Sequence, residues 1–157
     1  MKQIGVVIED HGAAIVTVEE TEGDFLATAI ERLPFDLAAV TDRVMELEAD
    51  RFIIDGEGLG SALWTVVGGP ADVQHWHLYA GRGLERQALV DALLVAVQEG
   101  RFHFAPGLSE QAAMSKAMVS YRRQVKDDGY IGSELVVALL LAIHNPVTVV
   151  EGWFAYA

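Results

Sequence analysis

The chain has 157 residues, 52% of them apolar, which fits one domain with a sizeable core and excludes a disordered polymer. It contains no cysteine, which excludes disulfides and thiolate metal sites. Its 23 acids against 11 bases give a net charge of −12, so it lacks the global basic footprint of most nucleic-acid binders.

Residues 3–8 (QIGVVI) and 13–18 (AAIVTV) are rich in β-branched side chains, and Glu9-Asp10-His11-Gly12 between them reads as a turn, giving a β-hairpin. Residues 24–32 (DFLATAIER) form a third strand, entered through Glu22-Gly23 and closed by Pro34. In residues 35–49, Leu37, Val40, Val44 and Leu47 are spaced as one face of a helix, with Asp36 suited to its N-terminal dipole. Residues 51–54 are a short buried strand, and residues 61–67 a short helix beyond three glycines. Residues 73–79 (VQHWHLY) alternate as a strand. Residues 84–98 carry a broad apolar stripe and end at Gly100, the signature of a helix and its C-cap.

Residues 101–105 (RFHFA) are expected as a short strand, followed by a helix from a Ser109 cap through Met118. Residues 119–125 (VSYRRQV) are expected as another strand, and 134–143 (ELVVALLLAI) as a closing helix capped by Ser133. The stretch 135–143 is the longest apolar run, too short for a bilayer, and the apolar start of the chain is too short for a signal peptide. Together with the missing cysteines this fits a cytoplasmic protein. The order, three antiparallel strands and then strands alternating with helices, implies an α/β mixed sheet with helices on both faces. The domain is expected over residues 1–145, with an apolar tail over 146–157 that packs on it or on a partner.

Ligands of such sheets bind at the carboxyl ends of strands. Asp55 stands there, followed by Gly56, Gly58 and Gly60, which remove side chains and leave room for a bulky anionic ligand. An aspartate after a strand equally often caps the next helix. Glu134 opens an otherwise apolar helix, so its carboxylate is expected toward the sheet edge, although a helix-dipole glutamate looks the same. Carboxylates converging from different elements suit hard cations, and two such ions hold the attacking and leaving oxygens of a phosphodiester. Asp127 and Asp128 read as a solvated turn. His75 and His77 fall on one strand face, but without a matched third ligand they read as ordinary histidines. No Gly-rich P-loop and no Gly-x-Ser-x-Gly elbow is present. Lys116, Arg122, Arg123 and Lys126 form the one cluster of bases, either a phosphate-contacting patch or a solvated face.

Four segments carry a resemblance: QIGVVIEDHGAAIVTV, RFIIDGEGLGSALW, LERQALVDALLVAVQEGRFHFAP and GYIGSELVVALLLAI. In that order they resemble the C-terminal nuclease domain of the phage terminase large subunit, which has an RNase H-like fold. The helix followed by GRFHFAP favours this over a resolvase-like or transposase-like member of the same fold.

The resemblance implies endonucleolytic cleavage of double-stranded phage DNA during genome packaging, using Mg²⁺ or Mn²⁺ in a two-ion site. It implies as partners DNA, a packaging ATPase domain, the portal or the small terminase subunit, and no membrane. Asp55 matches the second acid of the family triad, and Glu134 the third, with glutamate for aspartate. Val7 stands where the first acid belongs, and valine cannot bind metal. Glu9, two residues on and on the same strand face, is the displaced candidate. Two readings follow: a metal-dependent endonuclease working with Asp55, Glu134 and Glu9, or a catalytically inactive RNase H-like assembly module of a packaging complex.

Overall fold

The structure is a computed structural model that describes residues 1–81, 84–123 and 133–145. Three strands, β1 (Lys2–Glu9), β2 (Gly12–Thr21) and β3 (Asp24–Leu33), form an antiparallel meander. Helix α1 (Leu37–Glu46) then crosses to β4 (Arg51–Asp55), which pairs parallel to β1. Helix α2 (Gly60–Val66) leads to β5 (Trp76–Tyr79), parallel to β4. Helix α3 (Leu84–Gln98) leads to β6 (Phe102–Phe104), parallel to β3. Helices α4 (Gln111–Arg123) and α5 (Ser133–Ile143) follow. The sheet order is β5-β4-β1-β2-β3-β6, the mixed sheet that the element order implies.

Strand alternation splits the core in two. Ile4, Val6, Ile8, Phe52 and Ile54 face Val40 and Val44 of α1 and Leu63 of α2. Val7, Ala14, Val16 and Ile53 face α3, α4 and α5. Every residue from Glu134 to Ala142 is buried, because α5 lies between the sheet and helices α3 and α4. That explains a helix with no polar face. Gly5 lets α5 come this close: a Cβ there would run into the carbonyl of Ala138. Gly5→Ala is therefore expected to cost roughly 1–3 kcal/mol of stability, the usual cost of overpacking, read as a lower denaturant midpoint at unchanged m-value.

Several boundaries differ from the sequence expectation: the first helix ends at Glu46 rather than residue 49, and the closing helix begins at Ser133 itself. Residues 119–123 continue α4 rather than form a strand, because Met114, Ala117 and Tyr121 extend one inward face against the α5 layer. Glu110, not Ser109, immediately precedes that helix, and its carbonyl accepts from Met114 N–H at 2.9 Å. Strand β5 starts at Trp76 rather than residue 73, because a turn at Asp72 captures the N–H groups of His75 and Trp76. Asp36 caps α1, accepting from the N–H of Ala38 at 2.9 Å and of Ala39 at 3.3 Å. No helix among the described residues is long and apolar enough to cross a membrane. The tail at 146–157 lies outside the described residues, as do Lys126, Asp127 and Asp128.

Candidate metal centre

The site is built on one row of the sheet. Tyr79 pairs with Asp55, Val7 with Ala14, and Ala14 with Arg32. The parallel register of β1 and β4, Val6 beside Ile54, carried one step further sets Val7 beside Asp55. All five side chains belong to the face that α5 covers. Asp55 thus ends a central strand, 1% exposed, next to a valine that is wholly buried.

The loop after Asp55 brings up a further acid. Gly58 has φ +60°, and a Cβ on it would run into the carbonyl of Ile8 at the end of β1. Leu59 N–H donates to that same carbonyl at 3.1 Å. Gly60 packs in turn against the carbonyl of Asp55. These glycines serve the close approach of loop to strand ends rather than opening space for a bulky ligand. The turn carries Glu57 to the end of β1, where Glu9 stands. One carboxylate oxygen from each of Glu9, Asp55 and Glu57 lies within 4.8 Å of the others. Asp55 does not hold the cap position of α2: Leu59 does, with no side-chain cap bond, while Asp55 Oδ1 accepts from the N–H of Glu57 at 3.5 Å.

Oxygens bound to one hard cation at about 2.1–2.4 Å are separated by at most about 4.8 Å, so these three acids fit a single ion. The sequence reading missed Glu57. Its signal was the Asp-Gly-Glu spacing, but only the turn at Gly58 shows that the loop folds back.

Glu134 lies outside this trio. Gln3 donates to the carbonyls of Leu141 and His144, and Gly5 packs against Ala138, so α5 runs antiparallel to β1. Glu134 is one helical turn before Ala138, about 6 Å at the usual rise, which sets it level with Val7. It is buried, not at the sheet edge, because α5 is packed on all sides. Its Oε1 accepts from Arg32 at 3.4 Å, and its Oε2 has no hydrogen-bond partner among the described residues. Its charge still reaches the trio. Burial raises the Glu9 pKa above its ordinary 4.5, and the charges of Asp55, Glu134 and Glu57 raise it further, against an opposing pull from Arg86.

Arg86, on α3, reaches Asp55 Oδ1 at 3.4 Å. It is 21% exposed against 1% for the carboxylate. The guanidinium also lies near the phenol of Tyr121 on α4, whose pKa burial raises and the Arg86 charge pulls back. Arg86 is the sole base in residues 84–98, which is the signal the sequence held.

Of the expected basic patch, Lys116 is exposed on α4. The backbones of Arg122 and Arg123 end that helix, and their side chains lie outside the described residues. The histidines part company: His75 packs edge-on against Phe52 and Trp76, while His77 lies near His144, ring centroids 6.2 Å apart.

No family profile and no curated protein matches the chain in sequence. Solved structures do match in fold. The Mn-soaked, inhibitor-bound terminase nuclease domain of human cytomegalovirus superposes with a TM-score of 0.56 at 11% identity, covering 94% of this chain and 85% of that one. The large terminase nuclease of the thermophilic phage G20c, with bound zinc, gives 0.59 at 13% identity, covering 90% and 79%. The Holliday junction resolvase of fowlpox virus gives 0.52 at 12% identity, covering 98% and 99%. The chain has the RNase H-like fold that these nucleases share.

Proposed function

We propose that this chain is a terminase-type nuclease domain that hydrolyses double-stranded DNA with Mg²⁺ or Mn²⁺ held by Glu9, Asp55 and Glu57. The observation that carries the reading is the convergence of those three carboxylates, within 4.8 Å, at the carboxyl ends of β1 and β4. Each comes from a different backbone position fixed by the sheet or by the Gly58 turn, as a cation site requires. A divalent ion held there supplies Lewis-acid polarisation of the phosphate and acidifies its bound water. The chain's own part is to fix the ligands: buried Asp55 on its strand, Glu9 at the strand end, and Glu57 on the returning loop. Glu134, level with Val7, is the candidate for a second ion. Lys116, with Arg122, Arg123 and Lys126 beyond it, would contact the DNA phosphates, which a protein of net charge −12 needs to do locally. A packaging ATPase domain, the portal or the small terminase subunit would be the protein partners, in the host cytoplasm.

A specific observation supports a second reading, an inactive assembly module. Val7 is wholly buried beside Asp55, where the resemblance expects an acid.

Incubation with supercoiled plasmid decides between them. Nicked and linear products in Mn²⁺ or Mg²⁺ that vanish with a chelator are expected of the nuclease. An intact plasmid at every metal concentration would sink that reading and leave the assembly module.

A further inference from the structure

Arg86 is a cation built into a cluster that also suits a metal ion. Its guanidinium contacts Asp55 Oδ1 at 3.4 Å, and Asp55 is the most buried member of the trio. Glu134, the other deeply buried carboxylate, is likewise held by an arginine, Arg32. Arg32 has a second acid, Glu110 at 3.8 Å, and is 44% exposed, so it sits at the rim. Arg86 is less exposed and has a phenol close by, that of Tyr121 on the neighbouring helix.

A divalent ion between Glu9, Asp55 and Glu57 and a guanidinium on Asp55 make opposing claims on one carboxylate. Their mutual repulsion in a site screened from water is roughly fourfold stronger than in bulk solvent. Taking the metal reading above as the basis, we propose that Arg86 is a resident counter-cation that holds the metal-free carboxylates together and must leave Asp55, for Tyr121 or solvent, when the ion binds. It thereby sets the metal affinity of the site. Arg86 is a positioning residue here, not a catalytic one.

The sign of the effect separates this role from a merely structural one. A residue that only braces the site would, on removal, loosen the carboxylates and weaken metal binding. A competing cation would, on removal, strengthen it. Calorimetric titration with MnCl2 reads the difference without any DNA. Arg86→Met, which keeps the bulk and removes the charge and its repulsion of the ion, is expected to bind Mn²⁺ roughly tenfold or more tightly than the unmutated protein. Arg86→Lys, which keeps the charge, is expected to stay close to the unmutated affinity.

A second measurement needs no variant to fold. On titration of the unmutated protein with Mg²⁺, the Arg86 Nε–H resonance is expected to move as the guanidinium leaves Asp55. Equal or weaker Mn²⁺ binding by Arg86→Met overturns the proposal, and so does an Arg86 resonance unmoved at saturating Mg²⁺. If the unmutated protein binds Mn²⁺ and Arg86→Met binds no tighter, Arg86 alone is misassigned. If neither binds Mn²⁺, the metal centre fails together with it.

Discussion

Asp55→Asn is expected to lower metal-dependent DNA cleavage by well over the roughly 10–100-fold that loss of a mere outer-shell partner costs. Asparagine keeps the shape of the side chain and an oxygen for the N–H of Glu57, so the loop has no reason to move. What it loses is the charge, and Asp55 is the buried carboxylate of the trio, flanked by half-buried Glu9 and Glu57. Breaking a fully buried ion pair costs about 3–5 kcal/mol, because the partner is stranded. Here Arg86 is 21% exposed and can turn to solvent, so the cost falls below that range. A folded but metal-blind protein is the expected outcome, checked by calorimetric Mn²⁺ titration beside the cleavage assay.

The same variant has a pH signature in chelator. The pKa of Glu9 is raised in the fold by burial first, then by the charge of Asp55. A carboxyl group whose folded pKa lies above its unfolded value stabilises the protein fully below the unfolded value, near 4.5, and loses that contribution as pH rises through the folded pKa. Metal-free stability should thus decline upward from pH 4.5 in the unmutated protein, and less steeply in Asp55→Asn. Unchanged Mn²⁺ affinity in Asp55→Asn would remove Asp55 from the site.

Periodicity and turn chemistry made most of the fold legible. The hairpin of β1 and β2, the helical spacing of α1 and the strand that ends on Asp55 all follow from local pattern, and local pattern is what a sequence displays. The failures share a different cause. Residues 119–123 alternate like a strand, yet their state is decided by whether Met114, Ala117 and Tyr121 find a surface, and α5 supplies it. Gly58 and Gly60 looked like space for a ligand, whereas what crowds them is the backbone of Ile8 and Asp55. The missed acid, Glu57, depends on that same close approach. Glu134 was legible as a carboxylate at a helix start, but its depth was not, since burial of α5 on all sides is a property of three layers rather than of one segment. Arg86 was a lone base on an apolar helix, and only the packing of α3 brings it to Asp55.

Val7→Asp is expected to change the protein most, by a loss of stability in chelator that a divalent ion largely offsets. Val7 is wholly buried, flanked in its row by Asp55 and Ala14 and level with Glu134. A carboxylate placed there joins an unfavourable crowd of acids, with Arg86 and Arg32 already engaged. Burying an unpaired charge costs several kcal/mol. At about 2–4 °C per kcal/mol for a chain of this size, the melting temperature in chelator should fall by roughly 10 °C. A divalent ion offsets that loss, because the new carboxylate then becomes a ligand between Asp55 and Glu134. Occupancy at about a hundred times Kd returns ~2.7 kcal/mol, so Mn²⁺ should recover much of the lost melting temperature. Val7→Asn, similar in size but neutral, should lose stability and recover little. A Val7→Asp protein whose melting is indifferent to Mn²⁺ would show that the row beside Asp55 is not part of a metal centre. Cleavage then separates the two functional readings. If the unmutated chain already cuts DNA, Glu9 and Glu57 suffice for the missing first acid, and Val7→Asp adds rate to a working site. If only Val7→Asp cuts, the carboxylate cluster is the remnant of a nuclease centre whose loss turned on one buried side chain.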